Sequence, residues 1–193
     1  SDKFTGLFQI ETGLTRQTVL KVKPKNIDEL AVCISISRPG AYKDTDRYLD
    51  FVHKGEIESI YPEIDKSLTK TGNILIWQEQ ITKLMMDVYG FSEIDADSIR
   101  YGIGKKKRDE IAKWESKIFE NGDKKKIPED VTKKIWQVIN DSADYLFCAN
   151  HAYSYCYTTA LNTYLKTNYP IEFFLSLLRL SKYEPDTNST VKE

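Results

Sequence analysis

The chain has 193 residues, a length that suits one domain or one large piece of a longer protein. Its 28 basic and 29 acidic residues give a formal net charge of −1, which argues against a purely electrostatic nucleic-acid binder but leaves room for local basic patches. Hydrophobic residues make up 40%, enough for a buried core, and no apolar run approaches the ~20 residues that span a bilayer.

Glycine and proline divide the first half of the chain. The first two dozen residues are predicted to be extended or irregular, which leaves room for a short β hairpin near the N-terminus. A helix is predicted to begin at Asn26, which forms a capping-box pattern with Glu29, and to end at Arg38-Pro39-Gly40. Loops and short helices are expected over residues 42–68.

The clearest amphipathic helix follows and is expected to stop at Gly90. Its apolar stripe consists of Ile74, Trp77, Ile81, Leu84, Met85 and Val88. Gln78 and Glu79 face away from this stripe, and the residue pattern assigns them no role. Ser92 with Asp95 predicts the start of a further helix that ends near Tyr101, before the break at Gly102-Ile103-Gly104.

Four more helices are predicted in the second half. One carries Trp114 and Ile118 and stops at Asn121-Gly122, and the next begins at Pro128. A long helix is predicted over residues 151–168, and Pro170 opens an apolar one. Residues 184–193 are polar and predict a disordered tail. The predicted fold class is therefore mainly α.

The cysteines and histidines indicate neither a metal site nor a disulfide framework. Cys33, Cys148 and Cys156 are odd in number and form no CxxC pair, so we expect reduced thiols in a cytoplasmic protein. His53 and His151 lie far apart in the sequence and lack zinc-ligand spacing. Neither a GxxxxGK[ST] nor a GxGxxG string occurs, so neither of these nucleotide-binding loops is predicted.

Six short strings, taken in chain order, resemble the C-family DNA polymerases, the bacterial-type DNA polymerase III alpha subunits. They are Thr5–Glu11 (T-G-L-F-Q-I-E), Arg38–Ala41 (R-P-G-A), Ile76–Gln80 (I-W-Q-E-Q), Ile99–Lys107 (I-R-Y-G-I-G-K-K-K), Tyr145–His151 (Y-L-F-C-A-N-H) and Lys166–Phe173 (K-T-N-Y-P-I-E-F). Each string alone is a weak signal, but six in the right order over nearly the whole chain are a strong one. The resemblance implies the multi-helix fingers region, over residues 1–183.

The resemblance also implies what the parent protein does. It would be a DNA-directed DNA polymerase whose substrates are dNTPs and primer-template DNA. Its partners would be the other polymerase domains and replisome subunits, and it would not act at a membrane. Its two Mg²⁺ ions would be held by aspartates of a palm on the N-terminal side of Thr5–Glu11. We therefore nominate no catalytic residue and no metal ligand in this chain, and expect it to be inactive by itself.

Arg100 is the first candidate for nucleotide binding. By the resemblance it contacts the triphosphate, and guanidinium groups suit that task. Lys105, Lys106 and Lys107 follow two glycines and are candidates for a phosphate or template contact. The alternative is a solvated arginine and a solvated charge run. Tyr101 stands where the family has a second arginine, so one phosphate ligand is missing.

Tyr145 and His151 are the remaining nucleotide-binding candidates. Tyr145 matches the tyrosine that the family places against the nascent base pair, and base–aromatic stacking tolerates any base. His151 matches a histidine that contacts a phosphate or the sugar. The alternatives are a core tyrosine and a structural histidine. Ala149 replaces the family's lysine, a second lost positive charge.

These two losses keep a second function open, a non-enzymatic helical module that is related to the fingers and binds DNA or a replication partner.

Overall fold

The computed structural model describes residues 3–38, 40–104, 108–142 and 145–181, with no description of the side chains of residues 104–111 and 181. Over these residues the chain forms only helices, turns and one isolated backbone bridge, which confirms the mainly α prediction. The ten α-helices are α1 (Gly13–Val22), α2 (Ile27–Ile36), α3 (Thr45–Lys54), α4 (Pro62–Leu68), α5 (Gln78–Asp87), α6 (Glu93–Gly104), α7 (Arg108–Lys124), α8 (Glu129–Ser142), α9 (Ala149–Asn168) and α10 (Pro170–Ser181).

The chain divides into two compact units. The terminal unit consists of Ser1–Ile34 and Ala152–Glu193, and the central unit is Ser35–His151. The tail predicted at 184–193 and the candidates Lys105, Lys106 and Lys107 lie outside the described residues. Within the described residues, none of the helices combines the length and the apolar character needed to cross a bilayer.

The predicted helix starts at Asn26 and Ser92 are confirmed. The Glu29 N–H donates to Asn26 Oδ1 at 2.8 Å. The Glu29 carboxylate in turn accepts from Asn26 Nδ2 at 2.9 Å and from the Lys25 N–H at 2.7 Å, so Asn26 and Glu29 bond each other in both directions. At α6, the Asp95 N–H donates to Ser92 Oγ at 3.2 Å. Both caps satisfy N–H groups that a first helical turn leaves without partners.

The N-terminal segment is the first correction. Residues 3–12 form turns, and α1 occupies part of the stretch that was expected to be extended or to form a short hairpin. Thr18 and Val22 are the buried residues of α1, and Thr18 Oγ1 donates to the Leu14 carbonyl at 2.9 Å. A buried polar residue therefore interrupts the apolar stripe, which hid the helical period in the sequence.

Contacts within the terminal unit hold this N-terminal segment against α9 and α10. Lys166 Nζ donates to the Thr5 carbonyl at 2.6 Å and to the Lys3 carbonyl at 3.0 Å. At Gly6, which has φ +73°, an added Cβ would lie 3.0 Å from both Phe173 and Leu177. Only glycine meets both the backbone and the packing requirement there.

The central unit is built on one hydrophobic core. Its largest fully buried side chains are Tyr48, Tyr89, Ile36, Ile64, Leu68, Ile76, Ile81, Leu84, Met85, Ile99, Ile103 and Ile118. Most of the core cluster comes from α4 to α8. The apolar stripe predicted over residues 74–88 lies in this core, as amphipathic periodicity requires.

α5 begins four residues later than its apolar stripe. Ile74 to Trp77 are buried but not helical, and Trp77 has extended backbone angles. The Gln80 Oε1 atom accepts from the N–H groups of Ile76 and Trp77, both at 2.8 Å. This side chain satisfies the donors in front of the helix, so the helix begins at Gln78.

Two glycine sites that were expected to end helices lie inside them. α6 continues to Gly104, because Ile103 is buried one turn after the buried Ile99. α7 continues through Gly122 to Lys124. A Cβ added at Gly122 would lie 2.8 Å from Thr132 Oγ1 of α8. This glycine therefore allows two helices to approach, and does not terminate one.

Gly122→Ala is expected to destabilise the central unit by about 1–3 kcal/mol, because Thr132 is β-branched and buried and has little freedom to move away. In a Thr132→Ala background the same substitution should instead stabilise by up to about 1 kcal/mol, the helix propensity difference between glycine and alanine. Urea unfolding followed by circular dichroism measures both. If Gly122→Ala changed the free energy of unfolding in the same direction in both backgrounds, the close approach of α7 and α8 would be contradicted.

Candidate nucleotide-binding site

A groove of about 540 Å³ in the central unit is bounded by α5, α6 and the residues just before α9. Its lining residues are Gln78, Glu79, Thr82, Lys83, Met86, Asp87, Asp97, Arg100 and Cys148. Both cationic and carboxylate side chains line the groove. Arg100, one of the six candidates nominated from the sequence, is in this lining.

Arg100 is held at the wall of this groove with its side chain 28% exposed. Its Nε donates to Asp97 Oδ1 at 2.8 Å, within the same helix. Its Nη1 donates to Gln78 Oε1 of α5 at 3.0 Å. The predicted solvated pair thus exists, but a second helix also fixes the guanidinium. Tyr101, next to it, is 48% exposed and lies outside the groove lining.

The three polar residues that follow Trp77 all have defined partners. Gln78 Nε2 donates to the Leu146 carbonyl at 3.4 Å. The Glu79 carboxylate accepts from the Ala149 N–H at 2.9 Å and from Cys148 Sγ at 3.2 Å. Gln80 caps α5, as described above. Glu79 therefore supplies the acceptor at the N-terminus of α9, where a negative charge is favoured by the helix dipole.

Residue patterns missed Gln78 and Glu79. Their partners lie 22 to 70 positions away along the chain. The available signal was a run of three polar residues directly after four apolar ones, at a helix start.

Tyr145 is half-buried and packs against Gly40. A Cβ added at Gly40 would lie 2.4 Å from Tyr145 Cδ1, so the ring covers the glycine. Lys43 Nζ lies 5.4 Å from the centroid of the same ring. Hydrogen bonding to Tyr145 raises the pKa of Lys43 above its usual value.

His151 is exposed in the first turn of α9, and its ring meets Phe147 edge-on at 5.3 Å between centroids. The exposed Arg38 guanidinium stacks on the same phenylalanine, 4.0 Å from its centroid. Stacking on an aromatic face orients an arginine without consuming its charge. The buried Phe147 ring therefore contacts two exposed side chains, those of His151 and Arg38.

Two of the sequence candidates line two different grooves. Tyr145 lines a second cavity of about 190 Å³ with Lys43, Asn73 and Lys134, whereas Arg100 lines the larger groove. The segment 145–148 runs from one groove to the other, because Cys148 lines the larger one. In the part of the chain that the structure describes, no cluster of three or more His, Cys, Asp or Glu could bind a metal ion.

Comparisons with known proteins bear on the family to which this chain belongs. The family model of the bacterial DNA polymerase III alpha subunit finger domain matches residues 1–126. The DNA polymerase III subunit alpha of Aquifex aeolicus (strain VF5) is 31% identical over 194 residues, which cover 99% of this chain and 17% of that protein.

Two further relatives carry the same name. The protein of Mycoplasma genitalium is 34% identical over 174 residues, covering 90% of this chain and 20% of its own length. The protein of Caulobacter vibrioides is 29% identical over 188 residues, covering 96% of this chain and 16% of its own length. The chain thus spans between 16% and 20% of the length of these three relatives.

The family model covers well over half of the chain, and residues from three of the strings that resemble the family line the larger groove. The chain therefore belongs to the family of bacterial DNA polymerase III alpha subunit finger domains.

Proposed function

We propose that residues 1–183 are the fingers region of a replicative DNA-directed DNA polymerase, and that the larger groove receives the triphosphate of the incoming dNTP. The observation that carries this proposal is the placement of Arg100. Its guanidinium is partly exposed at the groove wall and is oriented from a second helix by a neutral amide. A triphosphate needs such an oriented cation, because phosphoryl transfer depends mainly on positioning and charge stabilisation.

The larger groove needs positive charge beyond Arg100. Lys83 lines it, but so do Asp87 and Asp97. We therefore assign a supporting role to Lys105, Lys106 and Lys107, which follow α6 directly in the sequence. Together they would offset the positive charges that are missing at Tyr101 and Ala149.

Tyr145 and His151 complete the proposed site. The Tyr145 ring would meet the nascent base pair, where stacking contributes about 1–3 kcal/mol for any base. His151 is exposed, meets the Phe147 ring edge-on and would donate a hydrogen bond to a phosphate or to the sugar. These roles suit a polymerase, which must accept all four nucleotides.

The metal ions of the parent enzyme are proposed to lie outside this chain. Because the described residues contain no fitting carboxylate cluster, the Mg²⁺ ions that neutralise the triphosphate would be held by the palm. The proposed partners are primer-template DNA, replisome subunits and the other polymerase domains. The domain contact has a candidate in α10, where Ile171, Leu175 and Leu178 are exposed.

Cys148 allows a direct test of the triphosphate position. It lines the larger groove, whereas Cys33 and Cys156 are fully buried. Burial raises the pKa of each buried thiol to about 12, so both should stay unreactive near neutral pH. In the intact polymerase on a dideoxy-terminated primer-template, the complementary dNTP is expected to slow alkylation of Cys148, as measured by peptide mass spectrometry.

A non-complementary dNTP at the same concentration is the control, and should leave the alkylation rate of Cys148 unchanged. Equal alkylation with both nucleotides, under conditions where the complementary dNTP forms a stable ternary complex, would contradict the proposed position.

The isolated chain is expected to show no primer extension with dNTPs and Mg²⁺, because the aspartates that would hold the metal ions are proposed to belong to the palm. Extension of a labelled primer, followed on a denaturing gel, is the measurement. Extension that copurifies with the chain through several columns would show that its chemistry lies within these residues.

A further inference from the structure

Gln78 has a backbone position that is fixed from both sides. Its N–H donates to the Phe147 carbonyl at 2.8 Å, and the Phe147 N–H donates to the Ile76 carbonyl at 2.9 Å. These bonds pair Trp77 with Phe147 in an isolated parallel bridge. The Gln78 side chain thus starts from a backbone that is locked against the 145–148 segment.

The two ends of the Gln78 amide serve two different partners. Oε1 accepts from Arg100 Nη1 at 3.0 Å, and Nε2 donates to the Leu146 carbonyl at 3.4 Å. Because a guanidinium can only donate and a carbonyl can only accept, one orientation of the amide satisfies both. A single side chain of α5 therefore connects the arginine of α6 to the segment that begins with Tyr145.

Asp97, the other partner of Arg100, constrains the orientation of the guanidinium less than Gln78 does. Asp97 is 61% exposed and belongs to the same helix, so its ion pair is largely solvated. Gln78 is half-buried and reaches Arg100 from a different helix. Gln78 is also neutral. It orients the guanidinium without cancelling its charge, whereas a carboxylate in its place would compete with an anionic ligand.

We propose that Gln78 is a positioning residue for nucleotide binding, which aims Arg100 into the larger groove and keeps its charge available to the triphosphate. This inference rests on the proposed role of Arg100. The two hydrogen bonds of the amide give a physical reason for a glutamine at the first position of α5, which the resemblance alone did not.

The test uses the intact polymerase and steady-state kinetics with each of the four dNTPs. Gln78→Met keeps a similar volume and removes both hydrogen bonds. It is expected to raise the KM for every dNTP about ten-fold, in line with the loss of a hydrogen bond to a charged group. In an Arg100→Ala background the same change should add nothing, because the two residues act as a unit.

Gln78→Glu separates positioning from support of the fold. The carboxylate would pair with Arg100 and compete with the triphosphate, so the KM should rise while the melting temperature stays close to that of the wild type. Gln80→Ala is the matched structural control. Gln80 is buried and caps α5 without touching Arg100, so its loss should lower the melting temperature and leave the KM unchanged.

Three outcomes would overturn the inference. If Arg100→Ala raises the KM but Gln78→Met does not, or if the two effects add independently, Gln78 does not position Arg100, and the proposed function stands. If Arg100→Ala itself leaves the KM unchanged, the proposed function fails and the role of Gln78 fails with it.

Discussion

Replacing Arg100 with alanine in the intact polymerase is expected to raise the KM for all four dNTPs by roughly 10- to 100-fold, the loss of one or more charge-assisted hydrogen bonds. The effect should be the same for each nucleotide, because a triphosphate contact ignores base identity. If the contact tightens as charge develops on the leaving pyrophosphate, kcat should fall as well. Steady-state kinetics with a parallel thermal melt measures both.

Lys124→Ala is the matched control for this prediction. Lys124 also pairs with a carboxylate of its own helix, at 2.6 Å from Glu120, but both side chains are more than 60% exposed. Such a solvated pair contributes little, so the variant should behave like the wild type. Arg100→Lys should recover part of the lost affinity, since it keeps the charge but not the planar fork. Normal kinetics for Arg100→Ala would remove the main support of the nucleotide-binding proposal.

Tyr145→Ala is expected to cost about 1–3 kcal/mol of base stacking, seen as weaker dNTP binding and looser discrimination against mispairs. Tyr145→Phe should be mild, because the ring face is kept. Single-nucleotide insertion opposite matched and mismatched template bases measures both effects. If Tyr145 only fills the core, the alanine variant should instead lose melting temperature, and its activity should fall only with the fraction of unfolded protein.

Gly40→Ala offers a second way to move the same ring. The added Cβ would lie 2.4 Å from Tyr145 Cδ1, so the ring must shift although its chemistry is intact. A change in mispair discrimination that resembles that of Tyr145→Ala would support a positional role of the ring. Unchanged discrimination in both variants, at an unchanged melting temperature, would contradict stacking on the base pair.

Helix positions were largely predictable from the sequence, because apolar periodicity and capping are local. The stripe of α5 and the caps at Asn26 and Ser92 needed only neighbours three or four residues apart. The failures had non-local causes. Gly122 was expected to terminate a helix, but it instead lets Thr132 of the next helix pack closely against α7. α1 was missed because Thr18 is buried at a position where the pattern required an apolar residue.

The candidate site was predictable only in part. Arg100, Tyr145 and His151 came from the resemblance, since a lone arginine, tyrosine or histidine carries no signal by itself. Their surroundings could not be anticipated. The structure puts Tyr145 on Gly40 and Arg38 on Phe147, in contacts that combine residues from different strings.

By itself the sequence determined the helical class, most of the helices and the family resemblance, because each depends on residue order and short-range spacing. Only the tertiary structure decided which side chains share a groove. Gln78 and Arg100 are 22 positions apart, and Glu79 and Ala149 are 70 apart. The first pair forms because burial of the α5 and α6 stripes in one core brings their polar edges together. No local pattern encodes that proximity, although it defines the proposed nucleotide site.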